Sequence, residues 1–368
     1  MSELVYASLV PTGLMTAQGI WNMWMSREKN PDAASSGKEL TNGVVLIFPC
    51  YKDIVDVEKW LNWSPAIKRI LIVEDVENGN ISRNEKVVVL KRDNRRGFKA
   101  GALNYAIDYL LKTGEKYDYA MFFDADHVPS TTEFDKIIPY LNGDDVLQFS
   151  WNDGYPYETA IDNLTYSTRY VSNFNNAHRD FKNLTGSAMA IKFSVLEEGA
   201  RFPESITEDY AMTLELLKKQ IKVKTVPIVI SEGKAPKTLK AFVKQQNRWA
   251  EGTVRDARLN GAKTKMTLKQ RFDWFMQVNL YLQALWFIVS IFLLLSGIIF
   301  SDLAITIIVI QAICFYTQLR KAPIKFWPYY FLLNYVIMLP QITAVLRGLT
   351  RNKGLFYRTY KKGGLSIE

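Results

Sequence analysis

The sequence predicts an α/β fold: a mainly parallel sheet in the first two thirds of the chain, followed by interfacial helices and a small α-helical transmembrane region. Two observations lead to this prediction. Between about residues 41 and 232, short β-branched apolar runs alternate with longer helical stretches, as strands linked by crossover helices do. From residue 275 onwards the runs become long and almost purely apolar.

The strands are predicted from apolar runs that are bounded by turn residues. They cover residues 44–49, 70–73, 86–90, 119–123, 146–149, 188–191 and 223–230, with helices at 54–63, 101–112 and 209–219. In a mainly parallel sheet the ligand site lies at the carboxyl ends of the strands. The residues that directly follow each strand are therefore the candidates for function.

Charge is distributed unevenly along the chain. The 368 residues carry 46 Lys and Arg against 37 Asp and Glu, a formal net charge of +9. Fifteen of the bases and only three of the acids lie between residues 218 and 271, so the rest of the chain is slightly acidic. A hydrophobic fraction of 48% excludes a disordered chain, and two cysteines exclude a disulfide scaffold.

The region after the basic block is predicted to enter a membrane. Residues 275–300 and 303–319 are almost purely apolar and approach or exceed the roughly 20 residues that a bilayer requires. A third apolar run, 326–346, contains two prolines and is expected to span, to re-enter or to lie flat. Residues 4–26 carry no charge and are expected to span or to lie at the interface, with spanning favoured. Basic flanks place the preceding domain in the cytosol.

The predicted organisation has five parts. Residues 1–40 form an N-terminal membrane or interfacial helix with a linker, and residues 41–232 form the α/β domain. An amphipathic interfacial region (233–274) leads into the transmembrane region (275–346), and a basic cytosolic tail (347–368) follows.

Acidic residues follow two of the predicted strands. Asp75 comes after the second strand, and Asp124-Ala-Asp126 comes after the fourth. Paired carboxylates at a strand end suit Mg²⁺ or Mn²⁺ bound to a diphosphate, although such triplets are common and do not establish a metal site alone. His127 and His178 are interpreted as isolated, because neither has a metal-ligand partner at a suitable spacing.

Three further motifs have both a functional and a simpler interpretation. Lys99 lies in a basic turn before a helix, which suits phosphate binding or a solvated loop. Glu208 and Asp209 open a helix, where they could also be first-turn acids behind Thr207 as N-cap. The segment from Gln245 to Trp249, which includes Arg248, could be part of an amphipathic helix at the membrane surface.

In this order the elements resemble family 2 glycosyltransferases of the cellulose, hyaluronan and chitin synthase type. The resemblance runs from about residue 44 to residue 249. It rests on an opening strand, on an acid after the second strand, and on four motifs that are similar to the family's KAGxLN, DxD, TED and QxxRW: Lys99 to Asn104, Asp124 to Asp126, Thr207 to Asp209 and Gln245 to Trp249.

The resemblance implies a GT-A-type nucleotide-sugar-binding domain and direct, inverting transfer. Asp209 would be the general base that accepts the proton of the acceptor hydroxyl. Asp126 would hold Mg²⁺ or Mn²⁺ at the leaving diphosphate, assisted by Lys99 and Arg248.

The remaining site residues are also assigned by resemblance. Asp75 would contact the nucleotide base, and Asp124 would contribute to donor binding. The acceptor sugar would lie on Trp249, with Gln245 in the same motif. Glu208, Gly186 and Ser187 would line the acceptor pocket.

The resemblance also implies the partners. The donor is expected to be a nucleotide sugar, a UDP-sugar first, although the residues do not distinguish uridine from guanosine. The acceptor is a glycan or a lipid, with the glycan favoured by the QxxRW motif. So few spans in one copy would not enclose a wide pore, which favours a short glycan, a glycolipid or a homo-oligomer. The chain is expected to be a multi-pass plasma membrane protein that contacts membrane lipids.

Two other classes of function explain less. A nucleic-acid-binding or anionic-lipid-binding protein would account for the basic block but would leave Asp75, Asp124, Asp126 and Asp209 without a role, so no nucleic-acid partner is expected. A transporter would need more spans than the sequence contains.

Overall fold

The structure is a computed structural model that describes residues 2–32, 40–76, 84–130, 134–141, 143–153, 159–296, 309, 319 and 321–353. The strands are β1 (Val44–Cys50), β2 (Ile67–Glu74), β3 (Val87–Lys91), β4 (Tyr119–Phe122), β5 (Val128–Pro129), β6 (Val146–Asn152), β7 (Met189–Lys192) and β8 (Val223–Glu232). The helices are α1 (Ser2–Met25), α2 (Val57–Leu61), α3 (Phe98–Thr113), α4 (Ala160–His178), α5 (Phe193–Glu197), α6 (Glu208–Lys218), α7 (Leu239–Leu259), α8 (Leu268–Leu295) and α9 (Trp327–Thr350).

The strands form one mixed sheet in the order β3-β2-β1-β4-β7-β6-β8-β5. Strand β7 runs antiparallel to β4 and β6, β5 runs antiparallel to β8, and the other neighbours are parallel. The predicted α/β class with a mainly parallel sheet is confirmed. Strand β5 was not predicted, because two residues are too few to show an alternation of apolar and polar side chains.

Both faces of the sheet are covered, as the apolar strands require. In β1, Val45 and Ile47 belong to a core shared with α3 and α5, whereas Leu46 and Phe48 belong to the core on the opposite face. Trp60 of α2 is fully buried in this second core, with its ring centroid 4.4 Å from that of Phe123. The sheet therefore lies between two apolar layers, and its carboxyl edge is left for the site.

The C-terminal helices pack against the α/β domain. Helix α9 lies along α7, where Ala250 and Val254 contact Ala344 and Val345. Helix α1 packs on α8. Residues 250–257 of α7 are buried on every side, so this part differs from the predicted interfacial helix. The reason is that α9 packs along this part of α7.

Membrane spans are only partly covered by the described residues. Among them, one helix is long and apolar enough to cross a membrane, Leu268–Leu293, where the sequence placed its first span. The predicted second span and most of the basic tail lie outside the described residues, as does most of the linker after α1. The third run is one continuous helix, α9, in which Pro340 lies inside the helix instead of breaking it.

Candidate active site

A cavity of about 540 Å³ opens at the carboxyl edge of the sheet. Side chains of α1, α4, α8 and α9 complete its walls. The residues predicted from separate motifs come together here because parallel strands end at the same edge. Those that line the cavity are Asp75, Lys99, Asp124, Asp126, Gly186, Glu208, Asp209, Gln245, Arg248 and Trp249.

Lys99 lies at the centre of a cluster of charges. Its Nζ is 2.7 Å from Asp124 Oδ1 and 3.0 Å from Glu208 Oε1, and it donates a hydrogen bond to the Gly186 carbonyl oxygen at 2.7 Å. Burial favours the neutral amine, but the two carboxylates raise the pKa of Lys99 above its ordinary value. Lys99 therefore stays protonated in the wall of the cavity, between two carboxylates.

Two glycines position Lys99 in the first turn of α3. Gly97 precedes the helix with a φ of +72°, a left-handed conformation that glycine adopts without strain. Gly101 packs directly against the Arg96 carbonyl group, so a Cβ at this position would clash with that backbone. The glycines in this basic turn therefore set the tight entry into the helix that carries the lysine.

Asp209 is partly buried and lies beside this cluster. Burial, with the neighbouring Glu208 carboxylate, raises the pKa of Asp209 to about 7, although Lys99 opposes the shift. A carboxylate whose pKa lies near neutral pH is suited to accept a proton from a hydroxyl group during a reaction.

Gly186 lines the cavity, whereas its neighbour Ser187 lies behind the cavity wall. Gly186 has a φ of +85°, and a Cβ there would lie 3.1 Å from Asp209 Oδ2, so glycine leaves space beside that carboxylate. Ser187 is fully buried, and its Oγ accepts a hydrogen bond from the Asp124 backbone N–H at 3.2 Å. Ser187 is not among the described lining residues, so it supports Asp124 from behind the wall and is not positioned for the predicted acceptor contact.

Three side chains could hold a metal ion. Ligand atoms of Asp124, Asp126 and His127 all lie within 4.8 Å of one another. Two carboxylates and an imidazole are a donor set that suits Mn²⁺, and the carboxylates also suit Mg²⁺. His127 is fully buried, and its Nδ1 lies 3.0 Å from the hydroxyls of Ser231 and Ser187. The interpretation of His127 as isolated is therefore wrong, because both acids of the DxD motif lie beside it.

Asp75 lines the same cavity, among cationic and aromatic groups. Arg92 Nη1 is 2.8 Å from its Oδ1, and Arg95 Nε is 3.6 Å from its Oδ2. Burial raises the pKa of Asp75, and both arginines oppose this shift. The Arg95 guanidinium carbon lies 3.4 Å from the Tyr51 ring centroid. A carboxylate beside a stacked planar pair can recognise a planar heterocycle that carries N–H donors.

Helix α7 holds the start of α6. Arg248 Nη1 donates to the Ile206 carbonyl oxygen at 3.1 Å, and Asp256 Oδ2 accepts the Thr207 hydroxyl at 2.9 Å. Thr207 is the N-cap residue of α6 and two acids follow it in the first turn, as the simpler interpretation expects, but its side chain makes no capping hydrogen bond. Instead its hydroxyl ties the acids that follow it to α7.

Gly252 allows this close approach, which leads to a prediction. A Cβ on Gly252 would lie 2.5 Å from Thr207 Oγ1. We expect Gly252→Ala to destabilise the chain by about 1–3 kcal/mol through overpacking and to reduce activity by displacing Thr207 and the acids after it. Thermal unfolding measures the loss of stability, and sugar-transfer assays measure the loss of activity. Gly13→Ala is the control, because nothing lies within 4 Å of that Cβ; equal behaviour of the two variants would contradict the prediction.

Sequence reasoning missed a group of residues opposite Trp249. The Arg169 guanidinium carbon of α4 lies 3.5 Å from the Trp151 ring centroid and 5.7 Å from that of Trp249. Asp153 follows β6, and its Oδ2 lies 3.7 Å from Arg169 Nε. Helix α4 escaped prediction because its residues are mostly polar. Its capping box, formed by Thr159 and the residue three positions later, was a signal that could have revealed it.

Comparison with known proteins identifies the family. The model for glycosyl transferase family group 2 matches residues 120–340. The chain belongs to this family. The resemblance read from the motifs is thereby confirmed, and with it the class of enzyme, a glycosyltransferase.

The curated relatives of this family 2 chain are distant. It is 27% identical over 199 residues to the probable glucomannan 4-beta-mannosyltransferase 4 of Oryza sativa subsp. japonica, covering 52% of this chain and 36% of that protein. It is 26% identical over 247 residues to the poly-beta-1,6-N-acetyl-D-glucosamine synthase of Staphylococcus aureus, covering 62% of this chain and 58% of that protein. The chain thus spans less than two thirds of the length of either relative.

A solved structure has the same fold. The mannosyltransferase PcManGT from Pyrobaculum calidifontis, in complex with GDP-Man and Mn²⁺, superposes with a TM-score of 0.64 over 94% of this chain and 99% of that one. The sequence identity is 14%, so the likeness concerns the fold alone. It confirms the predicted GT-A class for this family 2 chain.

Proposed function

We propose that this family 2 chain is a membrane-bound inverting glycosyltransferase that moves a sugar from a nucleoside-diphosphate sugar to a hydroxyl group of a glycan acceptor. One observation carries the proposal. A single cavity contains a carboxylate with a raised pKa, Asp209, next to a buried lysine and the DxD acids. Asp209 can act as the base that accepts the acceptor proton, and the lysine supplies positive charge for the departing diphosphate.

In the proposed reaction the acceptor hydroxyl oxygen attacks the anomeric carbon of the donor. Asp209 accepts the hydroxyl proton as the new C–O bond forms. The bond from the anomeric carbon to the diphosphate oxygen breaks, and the nucleoside diphosphate leaves with the electron pair. Because attack and departure occur on opposite faces, the anomeric configuration inverts. Lys99 and Arg248 stabilise the charge on the leaving group, as their positions in the cavity wall allow.

The proposed cofactor is Mg²⁺ or Mn²⁺, held by Asp126 with Asp124 beside it. When bound, the cation supplies positive charge to the diphosphate oxygens. Support comes from the carboxylate and imidazole atoms that lie within 4.8 Å of one another, and from the Mn²⁺ in the complex of PcManGT.

The proposed donor is a nucleotide sugar whose base lies at Asp75, Tyr51 and Arg95. A UDP-sugar is the first expectation, and a GDP-sugar is the alternative that PcManGT suggests. The proposed acceptor sugar stacks on Trp249, as pyranose faces do on aromatic rings, with Glu208 and Gly186 beside it. The relatives whose names specify a mannosyltransferase and a poly-N-acetylglucosamine synthase are consistent with a growing glycan as acceptor.

A lipid acceptor is the second candidate, as in glycolipid or polyprenyl-phosphate sugar synthesis. It is favoured by apolar side chains of Leu280, Ile337 and Met338, which line the part of the cavity formed by α8 and α9. Helix α8 is long and apolar enough to anchor the chain in the membrane that would supply such a lipid. The basic residues before α8 support a cytosolic position of the α/β domain. We propose a multi-pass location in the plasma membrane, which rests on the apolar runs of the sequence.

A donor and acceptor screen tests the proposed function. Membranes containing the chain are incubated with radiolabelled UDP-glucose, UDP-N-acetylglucosamine or GDP-mannose, with and without soluble glycan acceptors and with extracted lipids. We expect hydrolysis or transfer for one donor, labelled product with inverted configuration, and loss of activity in EDTA that Mn²⁺ restores. Label recovered only in the lipid phase would favour the second candidate. Transfer that EDTA leaves unchanged would contradict the metal assignment.

A further inference from the structure

Three residues on one side of α7 contact the segment that leads into α6. Arg248, Gly252 and Asp256 follow one another at intervals of four residues, so they lie along one face of the helix. Arg248 Nη1 donates to the Ile206 carbonyl oxygen, and a Cβ on Gly252 would meet the Thr207 side chain. This face of α7 therefore touches the backbone directly before the two acids of α6.

Asp256 binds the same segment through two hydroxyl groups. Its Oδ2 accepts the Ser205 hydroxyl at 2.6 Å and the Thr207 hydroxyl at 2.9 Å. The Thr207 backbone N–H donates to Ser205 Oγ at 3.1 Å, which closes a ring of hydrogen bonds around the turn. Glu208 follows Thr207 immediately. One carboxylate oxygen of α7 thus fixes the last residue before the acids.

The Asp256 carboxylate depends on these hydrogen bonds. The residue is 4% exposed, and burial raises the pKa of its carboxyl group, whereas the bonds from Ser205 and Thr207 lower it. Among the described residues its ion-pair partner is Arg255, whose Nε lies 4.0 Å from Oδ1, the outer limit of an ion pair. A buried carboxylate is costly unless it is paired or hydrogen-bonded. The two hydroxyl groups are therefore its main stabilising partners, and it in turn holds them.

The two acids of α6 are packed closely against other elements, so their position depends on how the helix starts. Glu208 Oε1 lies 3.0 Å from Lys99 Nζ. A Cβ on Gly186 would lie only 3.1 Å from Asp209 Oδ2. A misplacement of about 1 Å in a reacting group can lower a rate by about 100-fold. A small shift of the turn before α6 would therefore affect the transfer step.

We propose that Asp256 is a positioning residue for the two acids at the start of α6, acting through the hydroxyl groups of Ser205 and Thr207. It holds the turn so that the Asp209 carboxylate faces the acceptor hydroxyl, and it takes no part in proton transfer. This inference rests on the proposed function, because it concerns the residue proposed there as the base.

The test compares two substitutions of Asp256 in the full-length chain, with the radiolabelled donor that the wild type uses. Asp256→Ala removes the acceptor of both hydroxyl groups and should lower kcat about tenfold, with KM for the donor unchanged. Asp256→Asn retains a carbonyl oxygen in the same place, so its kcat should stay within about threefold of the wild-type value. In Asp256→Ala the released Asp209 is better solvated, so the acidic limb of the pH profile should move to lower pH.

A double-mutant cycle identifies the route of this effect. The hydroxyl groups are removed by Ser205→Ala together with Thr207→Val, and adding Asp256→Ala to this pair should lower kcat no further. A further tenfold fall would overturn the proposed route. Val254→Ala is the matched control, because it shortens a buried side chain of α7 that contacts α9. It should lower thermal stability but leave kcat and the pH profile unchanged. The same changes in both variants would reduce Asp256 to a structural role.

Hydrogen exchange at residues 204–210 tests the tether without any activity. Exchange should be faster in Asp256→Ala than in the wild type, Asp256→Asn or Val254→Ala. If the wild type transfers no sugar, or if Asp209→Asn keeps its kcat, the proposed function fails, and equal exchange in Asp256→Ala and the wild type then overturns the positioning role. If Asp209→Asn is inactive but Asp256→Ala keeps the wild-type kcat and pH profile, the positioning role fails and the proposed function stands.

Discussion

Asp209→Asn is expected to lower kcat for sugar transfer by about 10³-fold, within the range that general bases contribute. Asparagine has nearly the same shape as aspartate but cannot accept the acceptor proton. The fold and the donor site should remain, since Lys99 keeps its contacts with Asp124 and Glu208. Initial rates of transfer, measured beside nucleotide binding by titration calorimetry, check both parts of the prediction.

The pH profile provides a second measurement of the same role. Because burial and Glu208 raise the pKa of Asp209 to about 7, the base becomes protonated as the pH falls through neutrality, and transfer by the wild type should decline on that side. The residual activity of Asp209→Asn should lack this limb. Glu215→Gln, on the same helix but in a surface ion pair with Lys218, is the matched control. Near-normal kcat in Asp209→Asn would exclude Asp209 as the base.

Asp126→Asn is expected to weaken Mn²⁺ binding in the presence of UDP or GDP by about 100-fold and to reduce transfer to a similar extent. Loss of a residue that only supports a metal ligand lowers metal affinity by about 10–100-fold. Loss of a proposed ligand is therefore expected to lower the affinity by the upper value of this range. The remaining Asp124 is already in contact with Lys99 at 2.7 Å and cannot compensate fully. Electron paramagnetic resonance of Mn²⁺ measures the affinity independently of catalysis.

Asp145→Asn is the control for this experiment. Asp145 is a surface carboxylate, 3.8 Å from Lys192 and half exposed, so its loss should change neither Mn²⁺ affinity nor transfer. His127→Ala gives a further comparison, since the imidazole lies beside both acids but also bonds to buried hydroxyls. Unaltered Mn²⁺ affinity in Asp126→Asn would show that the metal binds elsewhere.

Strand order in the sheet required the tertiary structure. The apolar runs located β1 to β4 and β6 to β8 within a few residues, because buried strands need continuous apolar side chains on both faces. They did not show that β7 lies antiparallel between β4 and β6. That pairing brings Gly186, just before β7, to the carboxyl end of β4, where it contacts Lys99. Backbone pairing between distant segments has no signature in a local pattern.

Burial of helices was also decided by packing. The charge pattern of α7 suggested a helix at the membrane surface, yet Glu251 is buried and pairs with Arg347 of α9 at 2.8 Å. Helix α1 was predicted from its uncharged run. Its Gln18 and Asn22 lie in the wall of the cavity, a position that the uncharged run did not indicate. A polar residue in an apolar run reveals its role only when its neighbours in space are known.

What the sequence determined by itself was the chemistry: the α/β class, the family, and acids and a lysine at the ends of strands where a diphosphate and a base are needed. These follow from residue type and order, which are local properties. Only the tertiary structure decided which groups act on each other. It brought the hydroxyls of Ser187 and Ser231 to His127, Arg169 over Trp151, and the amides of α1 and α8 to one cavity. The physical reason is that distances between side chains, and the burial that shifts the pKa of Asp209, arise only when separate elements pack together.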